Sequence, residues 1–178
     1  LAWAYETGRG VARDYAAAFY WNERAAKNGF ALAQDNLARA YKLGRGVERD
    51  YAAAVDWYQK AMEIELSEPP EARPHAPGAA THGLALMYAS GLGVDRSFDQ
   101  LHELLRQSAS RGESAAIRHL RALYGSRDDA LSLGRDFRRG DPDDGIWEEP
   151  EEAYFLLSIA TELGDEMAAS HLSAIDLK

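Results

Sequence analysis

Apolar residues fall along this chain at the spacing of helix faces. In the stretch 31–43, Ala33, Leu37, Ala40 and Tyr41 recur three or four residues apart, which gathers one apolar face and leaves Asp35, Arg39 and Lys42 elsewhere on the helix. The stretch after Asp14 combines Ala16, Ala17, Ala18, Ala25 and Ala26, which allow close backbone approach, with the bulk of Tyr15, Phe19, Tyr20 and Trp21. Asp14 and Asp50 stand where N-caps belong, so helices are predicted from there to about residues 28 and 66. A further pair is predicted over 78–90 and 97–111, with Leu84, Met87 and Tyr88 facing Phe98, Leu101, Leu104 and Leu105. Residues 1–7 read as the end of an earlier helix. Pro150 suits the first turn of a helix reaching about residue 163, and 165–178 starts a last one.

The helical pattern is itself periodic. Gly8-Arg9-Gly10-Val11-Ala12-Arg13-Asp14-Tyr15-Ala16-Ala17-Ala18 returns 36 residues later as Gly44-Arg45-Gly46-Val47-Glu48-Arg49-Asp50-Tyr51-Ala52-Ala53-Ala54. A third copy, Gly91-Leu92-Gly93-Val94-Asp95-Arg96-Ser97-Phe98, lies 47 residues further on, and a weaker fourth places Ile146 52 residues beyond Val94. Trp21, Trp57, Leu104 and Leu156 stand ten residues past the Val or Ile, and Gly29, Gly112 and Gly164 stand eighteen past it. Tyr5, Tyr41 and Tyr88 precede the first Gly of their copies by three. Such an offset marks a repeat array whose units cannot bury their apolar faces alone. Periodic aromatics read as packing residues, so Trp21 and Trp57 are expected to be buried between consecutive helix pairs. The alternate glycines close hairpins: Gly10, Gly46 and Gly93 are expected at φ > 0 or where a Cβ would touch the next helix. With no third Gly at phosphate-loop spacing and no strand before it, Gly8-Arg9-Gly10 does not read as a phosphate cradle.

The pattern Leu37, Tyr41, Gly44-Arg45-Gly46-Val47, Asp50-Tyr51-Ala52, Ala54, Trp57-Tyr58, Lys60-Ala61 resembles the Sel-one-like repeat (SLR), a relative of the tetratricopeptide repeat. The resemblance covers most of the chain and is poorest over 125–145. It implies an all-α fold, a right-handed α-solenoid of antiparallel helix pairs that serves as a scaffold for protein contacts, with no shared catalytic residues. The whole of 1–178 is then one repeat domain, with units of about 1–29, 30–66, 78–112 and 113–164 and a partial helix over 165–178.

Two stretches depart from the period. The loop 67–77 carries four of the chain's six prolines, so it is expected to run extended on the surface between repeats, as a tolerated insertion or a recognition loop. Over 125–145 the register is ambiguous, because 113–124 and 128–139 both have the spacing of a first helix. They form either a kinked pair bending at Gly125 or an array with one inserted helix. Asp141 and Asp143 stand at alternate positions like a calcium loop, but Pro142 removes that reading.

Composition narrows the partner class. With 29 acidic against 20 basic residues the net charge is −9, which argues against nonspecific nucleic-acid binding. The charge is polarised: eight Arg against four acids over 106–139, then seven acids and no base over 141–152. Without cysteine there is neither a disulfide framework nor a thiolate metal site, and no apolar run is long enough to span a membrane. The chain opens at Leu1 without a Met and reaches the repeat at Tyr5, as expected of a segment of a longer protein.

The five His are scattered, and no nucleophile or zinc-protease signature is present, so neither an enzyme nor a cofactor or metal site is expected. The resemblance implies that the first helix of each pair lines a concave face. Positions there that the repeat pattern does not fix are Asp35, Arg39 and Lys42 on one helix, His82 and Leu86 on the next, and Arg118 on the third. They are expected as a surface binding a protein or peptide partner with an acidic extended segment. The function expected is a scaffold or adaptor within a larger bacterial regulatory or envelope protein. The rival readings are an enzyme-associated or hydrolytic domain with a site assembled across repeats, and a passive spacer.

Overall fold

The computed structural model describes residues 1–69 and 78–124, together with Leu157, Thr161, Ala169 and Ser170. Its elements are α1 (Ala2–Thr7), α2 (Tyr15–Lys27), α3 (Ala31–Leu43), α4 (Tyr51–Ser67), α5 (Ala79–Ser90), α6 (Phe98–Ser110) and α7 (Ser114–Tyr124). Each helix packs on its neighbours in sequence, giving a right-handed α-solenoid of the pairs α1/α2, α3/α4 and α5/α6, with α7 packed on α6. The Pro-rich stretch 70–77, the 125–145 region with its two alternative arrangements, and most of the helices expected beyond it lie outside the described residues.

The hairpin inside each pair is the same device used three times. The carbonyls of Tyr5, Tyr41 and Tyr88 accept from the backbone N–H groups of Asp14, Asp50 and Ser97 at 2.9, 3.0 and 3.2 Å. The last three residues then cap the next helix: Asp14 accepts from Ala17 N–H and Asp50 from Ala53 N–H, both at 3.0 Å, and Ser97 from Gln100 N–H at 3.3 Å. The second loop glycine also has a role outside its own hairpin. At Gly46 (φ +74°) a Cβ would lie 2.1 Å from the Tyr15 carbonyl oxygen, and at Gly93 (φ +72°) 2.5 Å from that of Tyr51. The loop of one repeat therefore rests, backbone on backbone, against the first turn of the second helix of the repeat before. Gly10 shares the conformation at φ +79°, but a Cβ there would meet no atom within 4 Å.

Between repeats, α2 and α6 end alike. Phe30 N–H reaches the Ala25 carbonyl at 3.3 Å, and Glu113 N–H reaches that of Ser108 at 3.2 Å, each around a left-handed glycine, Gly29 or Gly112. In the intervening repeat Glu65 stands where that glycine would, and α4 runs on to Ser67, 17 residues against 13 in α2. Glu65 is buried and its carboxylate caps α5, accepting from Ala80 N–H (3.0 Å), Thr81 N–H (3.1 Å) and the Thr81 hydroxyl (2.8 Å). The Arg111 guanidinium donates to the carbonyls of Glu65 and Glu68, and the Ser108 hydroxyl donates to that of Gly78 at 2.8 Å. The two ends of the inserted loop are thus tied down by side chains of α4 and by the end of α6.

The core runs along the solenoid through Leu37, Ala38, Ala54, Tyr58, Ala61, Leu84, Met87, Leu101 and Leu105. Three packing expectations are corrected. Trp21 and Trp57 are half-buried, and the aromatic that enters the core is Tyr58, 2% exposed. One residue is about 100° of helix, so the position after Trp57 points inward while Trp57 flanks the core under the Lys60 ammonium, 4.4 Å from its ring. Arg24 covers Trp21 in the same i,i+3 relation at 5.6 Å. Phe98, the first residue of α6, stays exposed at the helix edge while Leu101, Leu104 and Leu105 are buried.

Tyr58 reaches the core because of what faces it. A Cβ on Gly83 would lie 2.4 Å from the Tyr58 ring, so the ring packs on bare helix backbone. One repeat earlier the equivalent positions hold Asn22 and Asn36, whose amides meet at 3.4 Å. A small pair has become one large residue and one absent side chain.

Two outcomes follow for stability. Gly10→Ala is expected to cost about 1 kcal/mol, the price of a left-handed alanine, whereas Gly46→Ala costs a further 1–3 kcal/mol, roughly, from the clash with Tyr15. Urea denaturation of both variants measures the difference, and equal losses would refute the stacking role. Gly83→Ala and Tyr58→Ala should each destabilise, but the double variant should lose about 1 kcal/mol less than their sum, because the clash disappears with the ring.

Candidate partner-binding groove

The first helices of successive pairs, α3 and α5, stand side by side with the start of α7 beyond them. Asp35, Arg39 and Lys42 are spaced four and three apart, so they share one stripe of α3; His82 and Leu86 do the same on α5. These five line one recess of about 180 Å³, with Tyr58 and Gly83 at its floor and Glu113 and Ala115 across it. Arg118 lies outside the recess and is exposed on α7, because the next residue, His119, is the one turned inward.

The expectation that all six are surface positions is corrected. Only Arg39 and Arg118 are exposed; Asp35, Lys42, His82 and Leu86 are 7%, 4%, 8% and 3% exposed. The packing of α4 on α3 and of α5 on α4 closes over them, which single-helix periodicity does not register. A second recess lies toward the chain start, lined by Glu6, Phe19, Asn22, Asn36 and Arg45 among others, and Arg39 borders both.

Burial dominates the electrostatics. It pushes the Asp35 carboxyl up to about 6; Arg39 and Lys42 pull the other way, while Glu65 and Glu113 add to the rise. Two nearby cations therefore do not make up for lost hydration. His82 Nε2 and His119 Nδ1 lie 2.9 Å apart with ring centroids at 4.9 Å, a hydrogen bond whose donor is set by the tautomers of the two rings. Burial, then His82, then Arg118 hold His119 well below the usual imidazole range. Among the described residues no three His, Asp or Glu side chains converge to hold a metal ion, and no helix is long and apolar enough to cross a membrane.

Sequence reasoning missed Glu65, Tyr58, Glu113 and His119. Glu65 carried a signal, since it replaces the glycine of the period; His119 carried none, because only the contact with His82, 37 residues away, explains it.

Asp35 makes a measurable contribution to stability. Its folded value exceeds the unfolded 3.8, so the native state keeps a proton that the unfolded chain has released, and stability falls as pH rises from about 4 to about 6. Asp35→Asn should therefore raise unfolding free energy by on the order of 1–3 kcal/mol at neutral pH and by almost nothing near pH 4. Thermal or urea melts across that range test it; a destabilised Asn variant at neutral pH would show that ionised Asp35 is net favourable.

The comparisons identify the repeat and the fold. The Sel1 repeat model matches residues 1–30, 31–63, 78–113 and 143–165. A protective antigen present in uropathogenic Escherichia coli strains and displaying an SLR fold is 28% identical, with a TM-score of 0.57, over 98% of this chain and 39% of its own. A Sel1 repeat protein from Oxalobacter formigenes shares the fold at 24% identity and a TM-score of 0.52, over 97% of this chain and 58% of its own. The chain thus spans less than two thirds of either protein. No curated protein sequence matches it significantly. Repeats of this kind mediate contacts between proteins, and with four matched segments covering most of its length this chain belongs to the Sel1 repeat family.

Proposed function

We propose that the chain is a protein-interaction scaffold that grips an extended acidic segment of its partner in the groove between α3 and α5. The observation that carries this reading is the convergence of Asp35, Arg39, Lys42, His82 and Leu86, from helices 47 residues apart, on one open recess. Arg39 at the rim is exposed and offers a planar, permanently charged donor suited to a carboxylate, while Leu86 and Tyr58 supply an apolar wall. A neighbouring recess beside Asn22 and Asn36, which shares Arg39, supports a ligand that runs along this face rather than a single compact molecule. The relatives are longer bacterial proteins, which favours a role as one segment of a larger bacterial chain.

The test is fluorescence anisotropy with a labelled hexaglutamate peptide and hexalysine as control. Hexaglutamate should bind in preference, Arg39→Gln should weaken it about tenfold, and Arg118→Gln should leave it unchanged, with the melting of both variants close to wild type. Equal binding of the two peptides, or indifference to Arg39→Gln, would exclude this groove as the acidic-segment site.

A further inference from the structure

Asp35 is buried, burial raises the proton affinity of its carboxyl, and an Asn would occupy about the same volume. It nevertheless lines the recess, with Arg39 and Lys42 on its own helix, Glu65 reaching from α4, Glu113 from before α7, and His82 and Tyr58 across the space. On the other side α3 meets the neutral amide of Asn22 from α2. Glu65 is committed to the N-terminus of α5 by three hydrogen bonds. The wall of the recess therefore carries two cations, Arg39 and Lys42, against two carboxyls, Asp35 and Glu113.

A partner carboxylate that reaches Arg39 and Lys42 must enter the same desolvated space as Asp35. Two carboxylates in one such space cannot both stay ionised at low cost, and the buried one is the easier to protonate. With Asp35 neutral, Arg39 and Lys42 meet the incoming group with one fewer carboxylate opposing it. We propose, resting on the groove reading above, that this recess binds an acidic side chain of the partner together with one proton, which passes from solvent to the Asp35 carboxylate as the side chain enters. Partner binding is then tighter in mildly acidic conditions, with Asp35 as the coupling residue.

The experiment follows hexaglutamate binding to the full chain at about pH 8 and about pH 6, where the peptide remains largely ionised. If the entering carboxylate raises Asp35 by about one further pH unit, wild type should bind about fivefold more tightly at the lower pH. Asp35→Asn should bind at both values about as tightly as wild type does at the lower one. Calorimetry near pH 7 in phosphate and in Tris should show uptake of roughly 0.4 proton per peptide by wild type and none by the variant. Arg39→Gln separates the two ideas. If it has no effect on hexaglutamate, the groove reading fails and this proposal with it. If it weakens binding but the pH response survives Asp35→Asn, the coupling residue is another group such as His82 and this proposal alone is overturned. A wild-type affinity equal at both pH values overturns it as well.

Discussion

The contact on which this solenoid depends is the seating of a loop glycine on the first turn of a helix in the preceding repeat. Gly46 on Tyr15 and Gly93 on Tyr51 leave no room for a side chain, so the backbone surfaces themselves set the distance between repeats. A repeat unit cannot bury its apolar face alone, and the energy of the array lies in such interfaces. Because the spacing is fixed by backbone, the side chains between repeats must fit it, and they do so differently each time: an amide pair at Asn22 and Asn36, then a tyrosine ring on a bare glycine at Tyr58 and Gly83.

That constraint also explains how the array tolerates an insertion. The step from the second copy to the third is 47 residues rather than 36, yet Gly93 meets Tyr51 much as Gly46 meets Tyr15. Lengthening a surface loop costs little free energy as long as its ends stay in place. Here they are held by Glu65 on the N-terminus of α5, by Ser108 on the Gly78 carbonyl and by Arg111 on the carbonyls at the end of α4. The extra residues leave the stack undisturbed because polar side chains have replaced the glycine turn that ends the other second helices.

The same close stacking gives the groove its character. Packing α4 on α3 and α5 on α4 desolvates charges that would be ordinary solvated positions on an isolated helix, and this raises the proton affinity of Asp35 beside two cations.

What the sequence by itself determined is everything that depends on neighbours within a helix or a hairpin. The positions of the described helices, the capping roles of Asp14 and Asp50, the left-handed loop glycines and the family all follow from contacts a few residues apart, reinforced by repetition. Five of the six residues chosen for the groove were legible because alignment of the repeats places them on equivalent faces of α3 and α5. Their burial was not, nor was the choice between Arg118 and His119, between Trp57 and Tyr58, or the capping role of Glu65. Each of these is decided by which atoms arrive from a helix in the same or the next repeat, at an angle set by backbone seating and after a loop of unequal length. Helical periodicity specifies which face of a helix is apolar, but only the tertiary structure decides how much of the remaining circumference its neighbours cover.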